Sequence, residues 1–545
     1  MTTSPTTEQW ASRLGVILAV AGSAVGLGNF LRFPGQAAAN GGGAFMIPYF
    51  CALILLGIPI GWAEWTMGRY GGQRGFHSAP GILGVMGGRA LRYLGAIGVL
   101  IPLAVSFYYV FIEAWCLVYF WAFLTGSFDV MAAGSDVASQ SAASAAFYSS
   151  VTGVARDGAL FDLSTSSTLP FWAAAFTINL LLVYRGLSKG IEAFCSWAMP
   201  AMAVCALIVL IRVLTLGTPD TMKPDQNVIN GLGYMWNPSF AALGNFQTWL
   251  AAAGQVFFTL SVGFGVIINY ASYMRRRDDV VLSGLTASAT NEMFEVGFGG
   301  LITLTASYIF LGLSGTAAAV ATGSFGLGFT TLPVVFAQMG PAGQFIGAIW
   351  FFMLFLAAIT SSLSMYQPTL AFIQEALALD RKPATGLLAV VALIGSMFVL
   401  WFTRDGVFWN TLDFWVGTFL LFVMAGIQII CFSWIFGLDR GWTAAHEGAR
   451  MRIPRVFRFV MKYVAPAYLI IVFVGFCVQN LPDSLRAIAQ SPAAQLALLL
   501  ILTVCVGLLA LVRVGEARWR REGRDLDGRL PDTPTPVRRV EEVRR

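Results

Sequence analysis

The chain has 545 residues, 57% hydrophobic and 11% charged, with a net charge of +6. Soluble domains carry about a quarter charged residues, so this composition excludes an ordinary soluble protein and fits a polytopic helical membrane protein. The seven cysteines all lie in apolar segments without CxxC spacing, and the only histidines are His77 and His446, so nothing indicates disulfide, haem or histidine-metal chemistry. The N-terminus MTTSPTTEQW has no basic n-region, and the first apolar segment carries polar residues that a cleavable signal would lack.

Apolar runs of bilayer length predict twelve spans, at about 12–37, 44–69, 93–125, 169–185, 191–216, 243–273, 284–314, 341–376, 385–402, 410–436, 459–480 and 493–513. The segment 126–168 is rich in Ala, Ser and Asp and reads as a polar excursion. Segments 217–242 and 315–340, rich in Gly, Pro and Thr, read as loops, and the charged residues after Arg513 as a mobile extension. With the N-terminus inside, the inner loops hold Arg69, Arg74, Arg89, Arg92, Arg185, Lys189, Arg275 to Arg277, Arg381 and Lys382, while the outer loops hold few basic residues. This bias places both termini in the cytoplasm and the protein in the cell inner membrane. It also accounts for the positive charge, through topology and attraction to anionic lipid, with no nucleic-acid partner.

The first span contains LAVAGSAVGLGNFLRFPGQ, with Gly22, Gly26, Gly28, Asn29, Arg32 and Pro34 inside an apolar run. Gly22 and Gly26 alone read first as a close-packing GxxxG face. The sixth span, however, repeats the pattern: Val25-Gly26-Leu27-Gly28 is matched by Val262-Gly263-Phe264-Gly265. The two lie five spans apart, as two inverted five-helix units require, and paired Gly-interrupted helices mark a transporter's midplane site. A helix break frees N–H groups that attract anions and C=O groups that attract cations. Asn29, Thr259, Asn291, Thr360 and Ser361 add hard oxygens inside the spans, a donor set suited to alkali and alkaline-earth ions, and the scarcity of carboxylates nearby favours a monovalent one. Arg32, Glu64, Glu113, Glu192, Arg212, Glu292, Glu295 and Asp413 are ionisable residues within spans, each a functional candidate. Glu64, Glu192 and Arg212 read equally as functional groups or as structural ones that sit near an interface or satisfy neighbouring helix ends.

WASRLGVILAVAGSAVGLGNFLRFPGQAAANGGGAFMIPY closely resembles the first-helix signature of the neurotransmitter:sodium symporters, especially the bacterial amino-acid members. The likeness continues in SFYYVFIEAW, GQVFFTLSVGFGVIINYASY, VLSGLTASATNE, FLAAITSSLSMYQP and LDFWVGT, across spans one to ten. The resemblance implies an all-α membrane fold of about twelve transmembrane helices, with an inverted five-helix repeat and broken helices 1 and 6. The segments would be a cytoplasmic N-terminus (1–11), two repeats (12–216 and 243–436), two further helices (459–513) and a basic cytoplasmic tail (514–545).

It also implies site residues. A first sodium would lie at Ala24, Asn29, Thr259 and Asn291, touching the substrate carboxylate, and a second at Gly22, Val25, Ala357, Thr360 and Ser361. The substrate would meet Ala24, Leu27, Gly28, Thr259, Ser361 and the Tyr109 hydroxyl, with its side chain among Val105, Phe258, Ser261, Phe264 and Met365. Arg32 and Asp413 would form the outer gate, with Phe258 as a lid beneath. Gly26 stands where monoamine transporters carry an aspartate, so the ligand should bring its own carboxylate. Glu295 stands where chloride-dependent members carry a serine, which implies chloride independence and a protonation linked to the cycle. An apolar pocket with Met365 as filler favours a neutral, hydrophobic amino acid. Two departures stand out. Thr7 occupies the place of the basic inner latch that would pair with Glu375, leaving Arg13 or no residue for that role, and Ser23 replaces a larger amide.

The function expected is a sodium-coupled amino-acid importer working by alternating access. Each charge crossing 100 mV supplies about 2.3 kcal/mol. A transporter-like sensor with slow turnover is the alternative. No nucleophile–base pair, metal cluster or nucleotide motif supports an enzyme.

Overall fold

An apolar run in a bilayer must satisfy its backbone N–H and C=O groups within the segment, and a helix does so. Each predicted span is helical over most of its length in the computed structural model, which describes residues 8–128, 130, 136–162 and 167–528. In chain order the elements are α1 (Arg13–Ala24), α2 (Gly28–Ala39), α3 (Gly43–Gly72), α4 (Arg89–Thr125), α5 (Thr168–Tyr184), α6 (Leu187–Leu214), α7 (Phe246–Leu260) and α8 (Val266–Ser272). They continue with α9 (Val280–Ala321), α10 (Pro341–Leu377), α11 (Arg381–Trp401), α12 (Arg404–Ile435), α13 (Val456–Gln490) and α14 (Pro492–Arg521).

Among the described residues, nine of these are long and apolar enough to cross a membrane, or ten if α1 and α2, bent by 47°, are one span. The other two predicted spans differ for identifiable reasons: α5 has only 17 residues, and 243–273 is divided into α7 and α8 by a break at 261–265. The apolar windows of α4 and α10 are 89% buried, against 22% for α14, so α4 and α10 form the centre of the bundle and α14 its periphery.

Three expectations about loops need correction. Helices Val137–Thr152 and Val228–Trp236 lie within two of the predicted loops. The third, 315–340, is largely helical, since α9 runs to Ala321 through a turn at Gly312 (φ 67°) and residues 323–338 are helical again.

The tail expected to be mobile is docked as far as residue 528. Helix α14 continues to Arg521, and Trp519 on it is fully buried, its Nε1–H donating to Glu375 O (2.9 Å) and its ring edge-on to Phe76. The Glu516 carboxylate lies within 3.3 Å of Arg89, 3.1 Å of Arg92 and 2.6 Å of Arg520. The buried Arg92 guanidinium also donates to Leu526 O (2.6 Å) and Asp527 (3.0 Å). The charges that signalled a solvated tail are instead used in pairs against the first turn of α4.

In the loop between α3 and α4, His77 stacks on Tyr273 (centroids 4.3 Å, interplanar 5°). Burial, followed by the nearby Arg524, pushes its imidazole down to about 4. The unfolded chain therefore binds the proton first as pH falls below about 6.5, and this site loses stability on acidification toward pH 4. Between pH 7.5 and pH 5 the loss is expected to be about 1–2 kcal/mol. Thermal unfolding of wild type and His77→Gln across that range checks it; parallel pH profiles would exclude the residue as the source.

Candidate functional site

The first break begins where Val25 leaves the helical region (ψ 102°), although its N–H still bonds Ala21 O (2.7 Å). The chain becomes helical again at Gly28, and the Gly26 N–H is taken by Asn29 Oδ1 (2.8 Å). The second break needs left-handed backbone at Ser261 (φ 53°), Gly263 (φ 81°) and Gly265 (φ 80°). Only glycine fits at Gly265, where a Cβ would stand 2.0 Å from Gly98 O. Glu64, fully buried on α3, accepts from the Gly263 N–H (3.1 Å), so it satisfies a neighbouring helix end, the structural side of its two readings. The breaks face each other, since Ser261 Oγ donates to Ser23 O (3.2 Å).

Buried oxygens converge at two places beside the breaks. At the first, Asn29 Nδ2 donates to Asn291 Oδ1 (2.8 Å), Glu295 Oε2 (3.2 Å) and Thr259 Oγ1 (3.3 Å). Thr259 Oγ1 also bonds Glu295 Oε2, and Gln255 Nε2 donates to Glu295 Oε1 (2.7 Å). The Asn291 amide also lies against two main-chain oxygens, Ala24 O (3.2 Å) and Thr259 O (3.3 Å); with its nitrogen turned to that side it donates to both, and its oxygen accepts from Thr259 Oγ1 (2.9 Å). At the second place, Ser361 Oγ lies 3.0 Å from Ala357 O, 3.2 Å from Ser23 O and 3.5 Å from Gly22 O. Thr360 Oγ1 is 3.1 Å from Ala357 O, and its Cβ would be 3.2 Å from a Cβ at Gly22. Val25, on the first break, is fully buried. Apart from the amide nitrogens of Asn29 and Gln255, the groups gathered here are hard oxygens, suited to a hard cation and not to a soft metal.

Val105, Tyr109, Phe264, Met365 and Leu27, expected around the substrate, are all buried. The Tyr109 hydroxyl lies beside the Leu27 backbone and the Ser361 hydroxyl. A Cβ at Gly26 would approach Tyr109 Oη at 3.1 Å and Ser361 Oγ at 3.2 Å. Phe258 packs on Gly28, and the Arg32 guanidinium lies 4.4 Å above the Phe258 ring centroid. The expected pairing of Arg32 with Asp413 is not made: among the described residues no ion pair joins them, and Asp413 Oδ1 accepts from Tyr108 (2.7 Å). The gate residues thus share one end of the site without closing it.

The opposite end is held by links that local sequence did not reveal. Glu375 accepts from the N–H groups of His77 and Ser78 (both 2.9 Å), so it caps a loop instead of pairing with a basic latch. Arg13 pairs with Asp279 (3.6 Å), not with Glu375. Trp10 Nε1–H donates to Tyr270 O (2.9 Å), and Arg381 pairs with Glu8 (2.5 Å). Thr7 lies outside the described residues. Glu192 caps the start of α1, accepting from Ala11 N (2.8 Å) and Ser12 N (3.1 Å). Ser23 bonds Ser364 (2.6 Å), a small polar pair across the pocket floor.

The profile of the Sodium:neurotransmitter symporter family matches residues 7–216 and 172–517. The chain belongs to that family. It is a multi-pass membrane transporter, not an enzyme, and sodium is the co-transported ion of its family. Over 467 residues, 85% of this symporter and 89% of the relative, it is 29% identical to an uncharacterized sodium-dependent transporter of Methanocaldococcus jannaschii. It is 31% identical over 379 residues to the uncharacterized sodium-dependent transporter YhdH of Bacillus subtilis, covering 67% of this chain and 72% of that one. It is 25% identical over 523 residues to the sodium-dependent nutrient amino acid transporter 1 of Drosophila melanogaster, covering 86% and 78%. Its fold is similar to the crystal structure of MhsT in complex with L-phenylalanine, with a TM-score of 0.70, 27% identity, and coverage of 86% of this chain and 99% of that chain.

Proposed function

We propose that this symporter imports a neutral, hydrophobic amino acid with sodium by alternating access, independently of chloride. The orientation proposed is both termini in the cytoplasm of a cell whose inner membrane it spans. The observation that carries the reading is the gathering of the buried polar groups of Asn29, Thr259 and Asn291 beside two facing helix breaks, which supports a cation at the first site. The second set (Gly22, Val25, Ala357, Thr360 and Ser361) offers hydroxyl and carbonyl oxygens, a hard donor set that supports a second sodium there.

The substrate class is supported by three features. Gly26 leaves no side-chain charge for a ligand amine, and the Tyr109 hydroxyl stands where a carboxylate would need a donor. Val105, Phe264 and Met365, the residues proposed to surround the substrate side chain, are apolar and buried. MhsT was crystallised with L-phenylalanine, an amino acid of that chemistry. Glu295, fully buried among Gln255, Thr259, Asn29 and Asn291, supplies a fixed acidic group beside the first site, where a chloride-dependent relative needs the anion. Closure over the substrate then brings Arg32 and Asp413 together above Phe258.

Purified protein in liposomes tests the reading. An inward sodium gradient is expected to drive accumulation of labelled L-phenylalanine or L-leucine, and potassium is not. Replacing chloride by gluconate should change the initial rate less than twofold, by roughly the scatter of ordinary surface perturbations. Binding without accumulation would support a sensor with slow turnover instead. Flux that rises steeply with chloride would refute the role given to Glu295.

A further inference from the structure

Glu113 belongs to neither oxygen cluster nor to the pocket wall, yet it is fully buried on α4, as are Asn179 on α5 and Ser362 on α10. The three form a chain: Ser362 Oγ donates to Asn179 Oδ1 (2.6 Å), and Asn179 Nδ2 donates to Glu113 Oε2 (2.7 Å). Glu113 Oε1 has no hydrogen-bond partner among the described residues. The titratable groups facing it are Tyr109 and Cys116 of its own helix and Tyr366 of α10, while α5 presents the neutral Asn179. None of these is a cation.

An ionised carboxylate placed here would have one N–H donor, one bare oxygen and no counter-charge in an apolar surrounding, which strongly disfavours the charged form. The neutral acid fits better. Its Oε2 still accepts from Asn179, and its proton sits on the oxygen that otherwise has no partner. The carboxyl is also tied to one turn of α10 that includes the second oxygen cluster. Ser362 directly follows Thr360 and Ser361 in the chain, and Tyr109, one helical turn before Glu113, lies against Ser361.

We propose that Glu113 is a proton-binding site coupled to sodium at the second cluster, with Asn179 and Ser362 as the positioning residues that join the two. A cation held by Thr360 and Ser361 favours the ionised carboxylate, so sodium binding releases the proton from Glu113 Oε1 to water. By reciprocity, protonation weakens sodium binding by the same factor. The proposal rests on the sodium-symport reading.

Three measurements on the full-length protein in detergent test it, with sodium chloride as the only probe and potassium chloride as the control. Adding sodium in weak buffer should release protons, detected by a pH dye, and Glu113→Gln should release about one fewer per protein. The apparent sodium affinity of wild type should fall about fivefold or more from pH 8 to pH 6, within the usual range of such couplings, and Glu113→Gln should flatten that dependence. Equal proton release and equal pH dependence in the variant would overturn the proposal. Infrared difference spectra of wild type need no variant: sodium should remove a carboxylic-acid C=O band, and an unchanged band overturns the proposal even if Glu113→Gln fails to fold. Absence of any sodium response would instead remove the symport reading, whereas a sodium response independent of pH removes the Glu113 site alone.

Discussion

Replacing Asn29 by alanine is expected to weaken sodium binding by roughly 30- to 150-fold, corresponding to about 2–3 kcal/mol. Four contacts disappear together. Gly26 N loses its acceptor at the first break, and Asn291, Thr259 and Glu295 lose the amide that bridges them. All these partners are buried, and a buried polar group left without a partner costs its full desolvation penalty. The lost contacts also lower stability in potassium. Titrating sodium against thermal stability, with potassium as control, should show the variant starting from a lower melting temperature and needing far more sodium for the same further stabilisation. Full retention of sodium response would show that the cluster around Asn29 does not hold the ion.

Removing the Trp519 side chain should give the largest loss of stability. Trp519 is fully buried in a notch formed with Phe76, and its indole N–H is spent on Glu375 O. Truncating a buried tryptophan typically costs about 3–5 kcal/mol through lost transfer energy and the cavity left behind. Trp519→Phe keeps most of the volume and loses the hydrogen bond, so it should cost about 1 kcal/mol. The two variants therefore separate packing from the polar link in a thermal-unfolding series. A Trp519→Ala melting temperature equal to wild type would mean that residues 516–528 do not dock against the α3–α4 loop. Because Glu375 also caps His77 and Ser78, the docked tail and the closed end of the site share one residue.

Much of this protein is readable before any folding. Composition and run length dictate a helical membrane protein, because apolar segments of bilayer length must bond their own backbone. The breaks at Gly26 and Gly263 are legible because glycine, asparagine and serine inside an apolar run are costly unless irregular backbone is wanted there. Both breaks appear where that reasoning places them, with Ser261, Gly263 and Gly265 in left-handed backbone. The hard oxygens of Asn29, Thr259, Asn291, Thr360 and Ser361 are visible for the same reason: a polar residue in a span needs a partner.

What each of those groups pairs with was decided only by tertiary structure. Glu192 and Glu64 looked alike in the sequence, yet one caps α1 from 181 residues away and the other holds the break before α8. Glu375 kept its acidic character but turned to the His77–Ser78 loop, and the charged tail after Arg513 found Arg89, Arg92 and the floor of the bundle. Arg32 and Asp413 came to the same end of the site without pairing. Local pattern records which segments are apolar and where a helix must break. The partner of a buried charge is set by which helices pack side by side, and that depends on contacts hundreds of residues apart in the chain.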